Sequence, residues 1–122
     1  MVPMAEHYPP EYLEFVRLFN EGKYAESHRV LHDIWSENRS NYFYKALIQM
    51  AGAHQHWQEQ SYYWAADLFR GAAQLLSAYA PRHGGLDINE LVRTLQTCAD
   101  VADAQRNDRQ GAYKLPPVKL TV

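Results

Sequence analysis

The fold class of this chain is decided by residues 19–35, FNEGKYAESHRVLHDIW. The segment predicts the end of one helix, a turn at Gly22 and the start of a second helix, because glycine adopts the left-handed conformation that closes a helix at little steric cost. Apolar residues then recur at helical spacing, which indicates a helix with one buried face. They are Ala25, Val30, Leu31 and Ile34. The segment therefore predicts a helical hairpin.

The same criteria predict five helices along the whole chain. They cover residues 10–21, 24–37, 42–59, 62–80 and 88–106. Pro9 and Pro10 suit the opening of the first helix, Pro81 and Gly84 end the fourth, and Asp87 caps the fifth. Because short connections favour antiparallel neighbours, we expect an all-α bundle of two helical hairpins and a C-terminal helix.

The domain organisation is predicted to be one helical domain and a tail. At 122 residues the chain is long enough to bury a hydrophobic core without disulfides or a structural metal. The helical domain covers residues 1–106. Residues 107–122 contain Gly111 and two consecutive prolines, so we expect an extended or partly disordered C-terminal tail.

Net charge and cysteine content limit which classes of partner and which cellular compartment we expect. The formal net charge of −2 supplies no basic field that would recruit a nucleic-acid backbone or an anionic membrane, so we expect neither partner. No stretch approaches the ~20 apolar residues that a membrane span needs. Cys98 is the single cysteine and cannot form an internal disulfide, so a reducing, cytoplasmic location is expected.

A second segment, Leu47-Ile48-Gln49-Met50-Ala51 followed by His56, completes a pattern that begins in residues 19–35. Together the segments resemble the domain of unknown function 309 family, whose members carry roughly F-N-x-G-x-Y-x-E-A-H-E-x-L-E-x-x-W, then G-L-I-Q-x-A, then a histidine. The resemblance runs from about Tyr12 to Leu91. The matching residues are Phe19, Asn20, Gly22, Tyr24, Glu26, His28, Leu31, Trp35, Leu47, Ile48, Gln49, Ala51 and His56.

The resemblance implies an all-helical fold and leaves the biochemical role open, because the role of that family is not established. The chain departs from the family pattern at several positions. Arg29 and His32 replace glutamates, Ser27 replaces an alanine, and Ala46 replaces a glycine. The loss of two carboxylates argues against a catalytic site shared with the family.

The candidate site lies between the second and third predicted helices. His28 and His32 are four residues apart, hence on one helix face, with Glu26 beside them. Imidazoles and a carboxylate that converge between facing helices suit zinc, iron or another divalent ion. The alternative is a buried polar network that fixes the helix register. We expect the network, with no metal bound and with His28 close to Gln49 or His56.

The predicted binding residues on these helices form one group. They are Glu26, His28, His32, Trp35, Gln49 and His56. If a metal binds, its candidate ligands are His28, His32 and His56. Trp35 occupies the tryptophan position of the family pattern, and we expect its ring to be largely buried.

Aromatic residues make up 13% of the chain, which is enough to supply both core anchors and an interface. Consecutive aromatic residues point all round a helix, so some should stay exposed unless another chain covers them. We expect a binding surface around Tyr42, Tyr44, Tyr62 and Trp64. The competing interpretation is half-buried rings with their polar tips in water.

Two functional hypotheses follow. The preferred one is a non-catalytic binding or interaction module that contacts a protein partner or a second copy of itself. The alternative is a metal-dependent or acid-base enzyme, hydrolase-like, that uses Glu26, His28 and His56, with Glu26 and His28 as the catalytic candidates. A small-molecule ligand is compatible with both hypotheses, and a divalent metal ion is the one cofactor class that the residues suggest.

Overall fold

The computed structural model describes residues 8–122 as an all-α bundle with a short β-hairpin. The helices are α1 (Pro10–Asn20), α2 (Tyr24–Trp35), α3 (Tyr42–Gln58), α4 (Tyr62–Ser77) and α5 (Ile88–Asn107), and the antiparallel strands are β1 (Arg82–His83) and β2 (Leu86–Asp87). The predicted all-α class and its five helices are confirmed over this range. Residues 1–7 of the predicted helical domain lie outside the described residues. Between residues 8 and 122, every helix is too short or too polar to cross a membrane.

The core is built by helices that pack chiefly on their neighbours in the chain, with α3 and α4 at the centre. Small residues line the contact between these two helices, and a Cβ atom at Gly52 would meet Leu68 Cδ1 at 3.6 Å, an ordinary packing distance. The buried alanines of the two helices are Ala46, Ala51, Ala53, Ala65, Ala66, Ala72 and Ala73. The largest fully buried side chains are Tyr12, Phe15, Phe19 and Phe69.

Side-chain caps explain where two of the helices begin. Asp87 Oδ1 accepts a hydrogen bond of 3.0 Å from the Glu90 amide, and Asn41 Oδ1 accepts one of 3.0 Å from the Tyr44 amide. Each cap satisfies an amide that has no partner inside its helix. The cap predicted at Asp87 is therefore confirmed.

The connection between α4 and α5 differs from the prediction. Helix α4 ends at Ser77 rather than near residue 80, because the proline at 81 disfavours helical conformation in the residue before it. The chain then forms the β1–β2 hairpin, which was not predicted. Gly84 and Gly85 make its turn with φ of +58° and +79°, the positive values that a type I′ turn requires. Strands of two residues show no alternating pattern by which the sequence would have revealed them.

The tail, residues 108–122, has no regular secondary structure and packs along the bundle. Its first turn is held by Gln105, which is only 5% exposed. Gln105 Nε2 donates hydrogen bonds to the carbonyls of Asp108, Arg109 and Gly111, and its Oε1 accepts one from the Tyr113 amide. The buried side-chain amide of Gln105 thus supplies hydrogen bonds that regular secondary structure would otherwise give to this backbone segment.

The rest of the tail runs past α5. The Cys98 thiol is buried under it, 3.9 Å from the Pro116 carbonyl oxygen, and burial raises the pKa of Cys98 to about 12. The thiol is therefore protonated at neutral pH and behaves as a small core group. A cleft of about 340 Å³ remains between the end of the tail and the first half of α5.

Candidate functional site

Three of the predicted site residues form a column of rings along α2. The rings of His28 and His32 are nearly parallel, with centres 5.7 Å apart, and the Trp35 ring follows at 5.4 Å. The guanidinium of Arg39 lies 5.3 Å from the centre of the Trp35 ring. Spacings of four and three residues place the three rings on one face of α2, and Arg39 reaches Trp35 from the turn that follows the helix. We call these four residues the α2 ring column.

The surroundings of His28 favour its neutral imidazole. Burial lowers the pKa of His28, and the neighbouring His32 lowers it further. Neutral imidazole is the form that binds metals, but a stable protein site generally needs three or four ligands. Among residues 8–122, no three His, Cys, Asp or Glu side chains are placed to hold one ion.

Two of the predicted site residues carry a buried polar atom that has no hydrogen-bond partner within residues 8–122. They are Trp35, through its indole Nε1, and His56, through its Nδ1. Trp35 ends α2, whereas His56 belongs to the last turn of α3, so the two lie at opposite ends of the α2–α3 hairpin. The Trp35 ring is partly buried and packs against the core. These are separate features, and they do not combine into one pocket.

The remaining predicted residues do not join the column. Gln49 is directed at α4, because its Oε1 lies 2.7 Å from the place that a Cβ atom would take at Gly71. Glu26 is exposed. Across residues 8–122, no hydrogen bond or ring contact links His28 with Gln49 or His56. The predicted group thus divides into the α2 ring column, a glutamine at the α3–α4 interface and a histidine at the end of α3.

Among residues 8–122, the most enclosed histidine is His54, which is not one of the predicted site residues. His54 is 5% exposed and lies among the rings of Phe19, Tyr24 and Phe69, with centres 4.8 to 5.1 Å from its own. Its Nδ1 lies 2.9 Å from the Met50 carbonyl oxygen. Because a carbonyl only accepts, Nδ1 carries the proton, and burial lowers the pKa of the ring. In the sequence, His54 falls at the same helical spacing as the apolar residues of α3, and this spacing is the signal that indicates a buried position.

An exposed aromatic surface lies where α3 ends and α4 begins. Tyr63 and Trp64 are 54% and 53% exposed, with ring centres 5.0 Å apart. Two arginines cover rings of this surface: Arg106, in the last turn of α5, lies 5.4 Å from Tyr63, and Arg109, just after α5, lies 5.1 Å from Tyr62. We call these five residues the aromatic–arginine patch. Guanidinium groups held over aromatic faces are attracted by the ring quadrupole.

The single aromatic surface predicted around Tyr42, Tyr44, Tyr62 and Trp64 is wrong, because these residues divide between the two ends of α3. Tyr42 and Tyr44 lie in its first turn, and Tyr62 follows its last turn. A helix of 17 residues is about 25 Å long, which separates the two groups. Tyr42 is 51% exposed and belongs to the far end.

The fold and these surfaces define a small helical-bundle protein with an exposed aromatic end. The chain matches the family described as Domain of unknown function (DUF309) over residues 12–75, slightly more than half of its length, and it belongs to that family. The matched range spans α1 to α3 and most of α4, and includes the whole α2 ring column. No curated protein and no solved structure shows a significant match to the chain.

Proposed function

We propose that this protein is an interaction module that self-associates through the aromatic–arginine patch. One observation carries the proposal: Tyr63 and Trp64 are consecutive, and each keeps more than half of its surface in water. Exposed aromatic surface is costly to hydrate, and burying it against another chain recovers that free energy. Tryptophan, tyrosine and arginine are also the residues that most often dominate the binding energy of interfaces.

A second copy of the chain is the partner that the patch chemistry favours. A two-fold interface brings the same surface from both subunits together, so this surface must contain both members of each favourable pair. The patch contains aromatic faces and guanidinium groups. Beside it, Asp103 pairs with Arg70 and lies 3.8 Å from Arg106. Aromatic, cationic and anionic groups are therefore all available on one surface, which makes it self-complementary.

In this proposal the polar residues of α2 and α3 are structural rather than catalytic. His28 stacks on His32, and His32 packs at a tilt of 55° against Trp35, so the rings of α2 pack on one another. Glu26 is exposed, whereas catalytic side chains generally lie in an enclosed pocket. These placements favour a structural role for the α2 ring column. The proposed binding surface lies at the α3–α4 turn instead.

The test is sedimentation velocity of the wild type and two matched variants from low to high micromolar concentration. The double variant Tyr63→Ala/Trp64→Ala removes the exposed rings of the patch. Tyr42→Ala removes a ring of similar exposure, 51%, at the other end of α3. Circular dichroism verifies that each variant keeps its helices.

We expect the wild type and Tyr42→Ala to form dimers as concentration rises, and the double variant to stay monomeric. A wild type that sediments as a monomer at every concentration would overturn the proposal. A dimer that survives in the double variant and is lost in Tyr42→Ala would overturn it equally, because it would place the interface at the other end of the bundle.

A further inference from the structure

A second surface feature, independent of the patch, is an aromatic cleft of about 270 Å³. It lies between the start of α1, the start of α3 and the β-hairpin, at the end of α3 opposite to the patch. Its main lining residues are Tyr8, Tyr12, Asn41, Phe43, Tyr44 and His83. We call it the aromatic cleft.

The floor of the aromatic cleft is rigid. The Tyr12 hydroxyl donates a hydrogen bond of 2.6 Å to the Gly84 carbonyl, and Tyr12 is only 1% exposed. Gly84 has a φ of +58°, and a Cβ atom there would lie 2.8 Å from the Tyr12 hydroxyl and 2.9 Å from the Phe43 ring. The hairpin can therefore close the cleft only with glycine at this position. A preformed floor lowers the entropy that a ligand must lose on binding.

The walls of the cleft are aromatic faces. Tyr12 and Tyr44 are nearly parallel, at 14° with ring centres 6.1 Å apart, and Tyr8 follows Tyr12 at 5.5 Å. His83 packs edge-on against Phe43 at 4.5 Å. Tyr12 and Phe43 are buried beneath the surface, so the half-buried rings of Tyr8 and Tyr44 are the faces on which flat or ring-shaped apolar groups can pack.

Several polar groups of the cleft can donate hydrogen bonds. Asn41 uses its Oδ1 to cap α3, which holds its amide in place and leaves the NH₂ group as a donor. Hydroxyl groups of Tyr8 and Tyr44 can donate as well. A matching ligand therefore presents apolar rings together with acceptors and few N–H groups. Proline-rich peptides have this chemistry, because the polyproline II helix exposes unpaired carbonyls and proline has no N–H.

Glu11 supplies an exposed carboxylate in the first turn of α1, beside the cleft. Glu11 lies close enough to Tyr44 to raise the pKa of its hydroxyl, in addition to the larger effect of burial. Among residues 8–122, no salt bridge joins Glu11 to a basic side chain. A carboxylate at the rim of an aromatic cleft attracts a cation in the ligand, as charge complementarity at interfaces does generally.

We propose that the aromatic cleft binds a proline-rich peptide segment of a protein partner, with a basic residue of that segment beside Glu11. The proline rings pack on Tyr8 and Tyr44, and the peptide carbonyls accept hydrogen bonds from Asn41 and the tyrosine hydroxyls. Aromatic-lined grooves that bind a preformed polyproline II helix are a recurring mode of peptide recognition. This site goes beyond the self-association proposed above and does not depend on it.

The test is a titration of ¹⁵N-labelled protein with synthetic peptides, followed by NMR. The probe is a run of prolines that begins with arginine. The controls are the same peptide with glutamate in place of arginine, and a glycine–serine peptide of equal length. We expect the arginine–proline probe to shift the Asn41 side-chain amide and the backbone signals of Tyr44 and His83. The glycine–serine peptide should shift none of them.

Variants of the protein then test how individual residues contribute to binding of the peptide. Tyr8→Ala removes one wall and should weaken binding of the probe about tenfold, which corresponds to about 1.4 kcal/mol. Glu11→Gln should weaken binding of the arginine–proline probe at low salt. Binding of the glutamate–proline peptide should be unchanged or tighter. Tyr113→Ala removes an exposed ring of the tail that belongs to neither the cleft nor the aromatic–arginine patch, so it is the matched control and should bind like the wild type.

Several outcomes would overturn the inference. The first is that the arginine–proline probe shifts no cleft signal at high concentration. The second is equal binding of the glycine–serine peptide. The third is that tetramethylammonium shifts the cleft signals while the proline probe does not, which would make the cleft a site for small organic cations. None of these outcomes bears on the dimer, because sedimentation tests that claim at the other end of the molecule.

Discussion

Asn20 and Leu120 lie 100 positions apart in the chain and exchange two hydrogen bonds of 2.8 Å. The Asn20 side-chain amide donates from Nδ2 to the Leu120 carbonyl, and its Oδ1 accepts from the Leu120 amide. An asparagine side chain thus serves the tail backbone as a neighbouring strand would. Leu120 is 3% exposed, so this pair holds the end of the tail against the bundle.

Replacing Asn20 with alanine should loosen the tail. Leu120 loses both of its partners, and we expect the free energy of unfolding to fall by about 1–3 kcal/mol, the usual cost of leaving such groups unpaired. Urea denaturation measures this change, and limited proteolysis shows whether the tail becomes accessible. Asn89→Ala, at an exposed site on α5, is the control and should leave both measurements unchanged. Equal protection of the tail in both variants would contradict the account.

Trp35 combines a packed ring with a buried Nε1 that has no partner in the described part of the chain. We expect Trp35→Ala to lower the free energy of unfolding by about 3 kcal/mol, at the lower end of the range for large aromatic truncations. Trp35→Phe keeps a ring and removes the unpaired N–H, so it should cost much less than the alanine variant. Denaturation midpoints decide this, and equal losses in the two variants would contradict the prediction, because they would show that the ring kept by phenylalanine contributes nothing to stability.

His54 should make the protein less stable in mild acid. Its pKa is lowered by burial in the folded state, so the unfolded chain binds the proton more readily. The contribution to stability is complete above the ordinary histidine pKa of about 6.5 and is lost as pH falls towards the lower folded value. His54→Gln removes this dependence. The free energy of unfolding should therefore fall less steeply from about pH 7 to pH 5 in the variant than in the wild type. Parallel curves for the two proteins would exclude His54 as the cause.

The histidines of α2 are predicted to act without metal. Zinc, manganese or a chelator should leave the melting temperature of the wild type unchanged, whereas His28→Ala should lower it because the ring stacked on His32 is lost. Elemental analysis of protein purified without an affinity tag is the check. Near-stoichiometric metal that disappears in the His28→Ala variant would refute this prediction and favour the enzyme hypothesis.

Local patterns accounted for the helices and for part of the candidate site. The apolar spacing and the turn at Gly22 predicted α1 and α2, and Asp87 was predicted as a cap because capping depends on neighbouring residues alone. The pairing of His28 with His32 follows from their four-residue spacing in the same way. These features require no knowledge of the rest of the chain.

Features that depend on distant residues were not predictable. Gln49 points at α4 because Gly71, on that helix, has no side chain to block it. The position of the tail depends on its hydrogen bonds with Asn20, on the first helix. The hairpin has strands too short for a periodic signal. The prediction of one aromatic surface was wrong because residue type does not show which rings lie together. The length of α3 separates Tyr42 and Tyr44 from Tyr62 and Trp64.

The central claim is that Trp64 lies at the interface of a dimer, and its ¹⁹F signal tests this most directly. The chain has three tryptophans, and incorporation of 5-fluorotryptophan gives each its own signal, with Trp64→Phe assigning one of them. As concentration rises and the sedimenting mass doubles, the account predicts that the Trp64 signal shifts while the signal of Trp35 stays fixed. A doubling of mass with an unchanged Trp64 signal would contradict it.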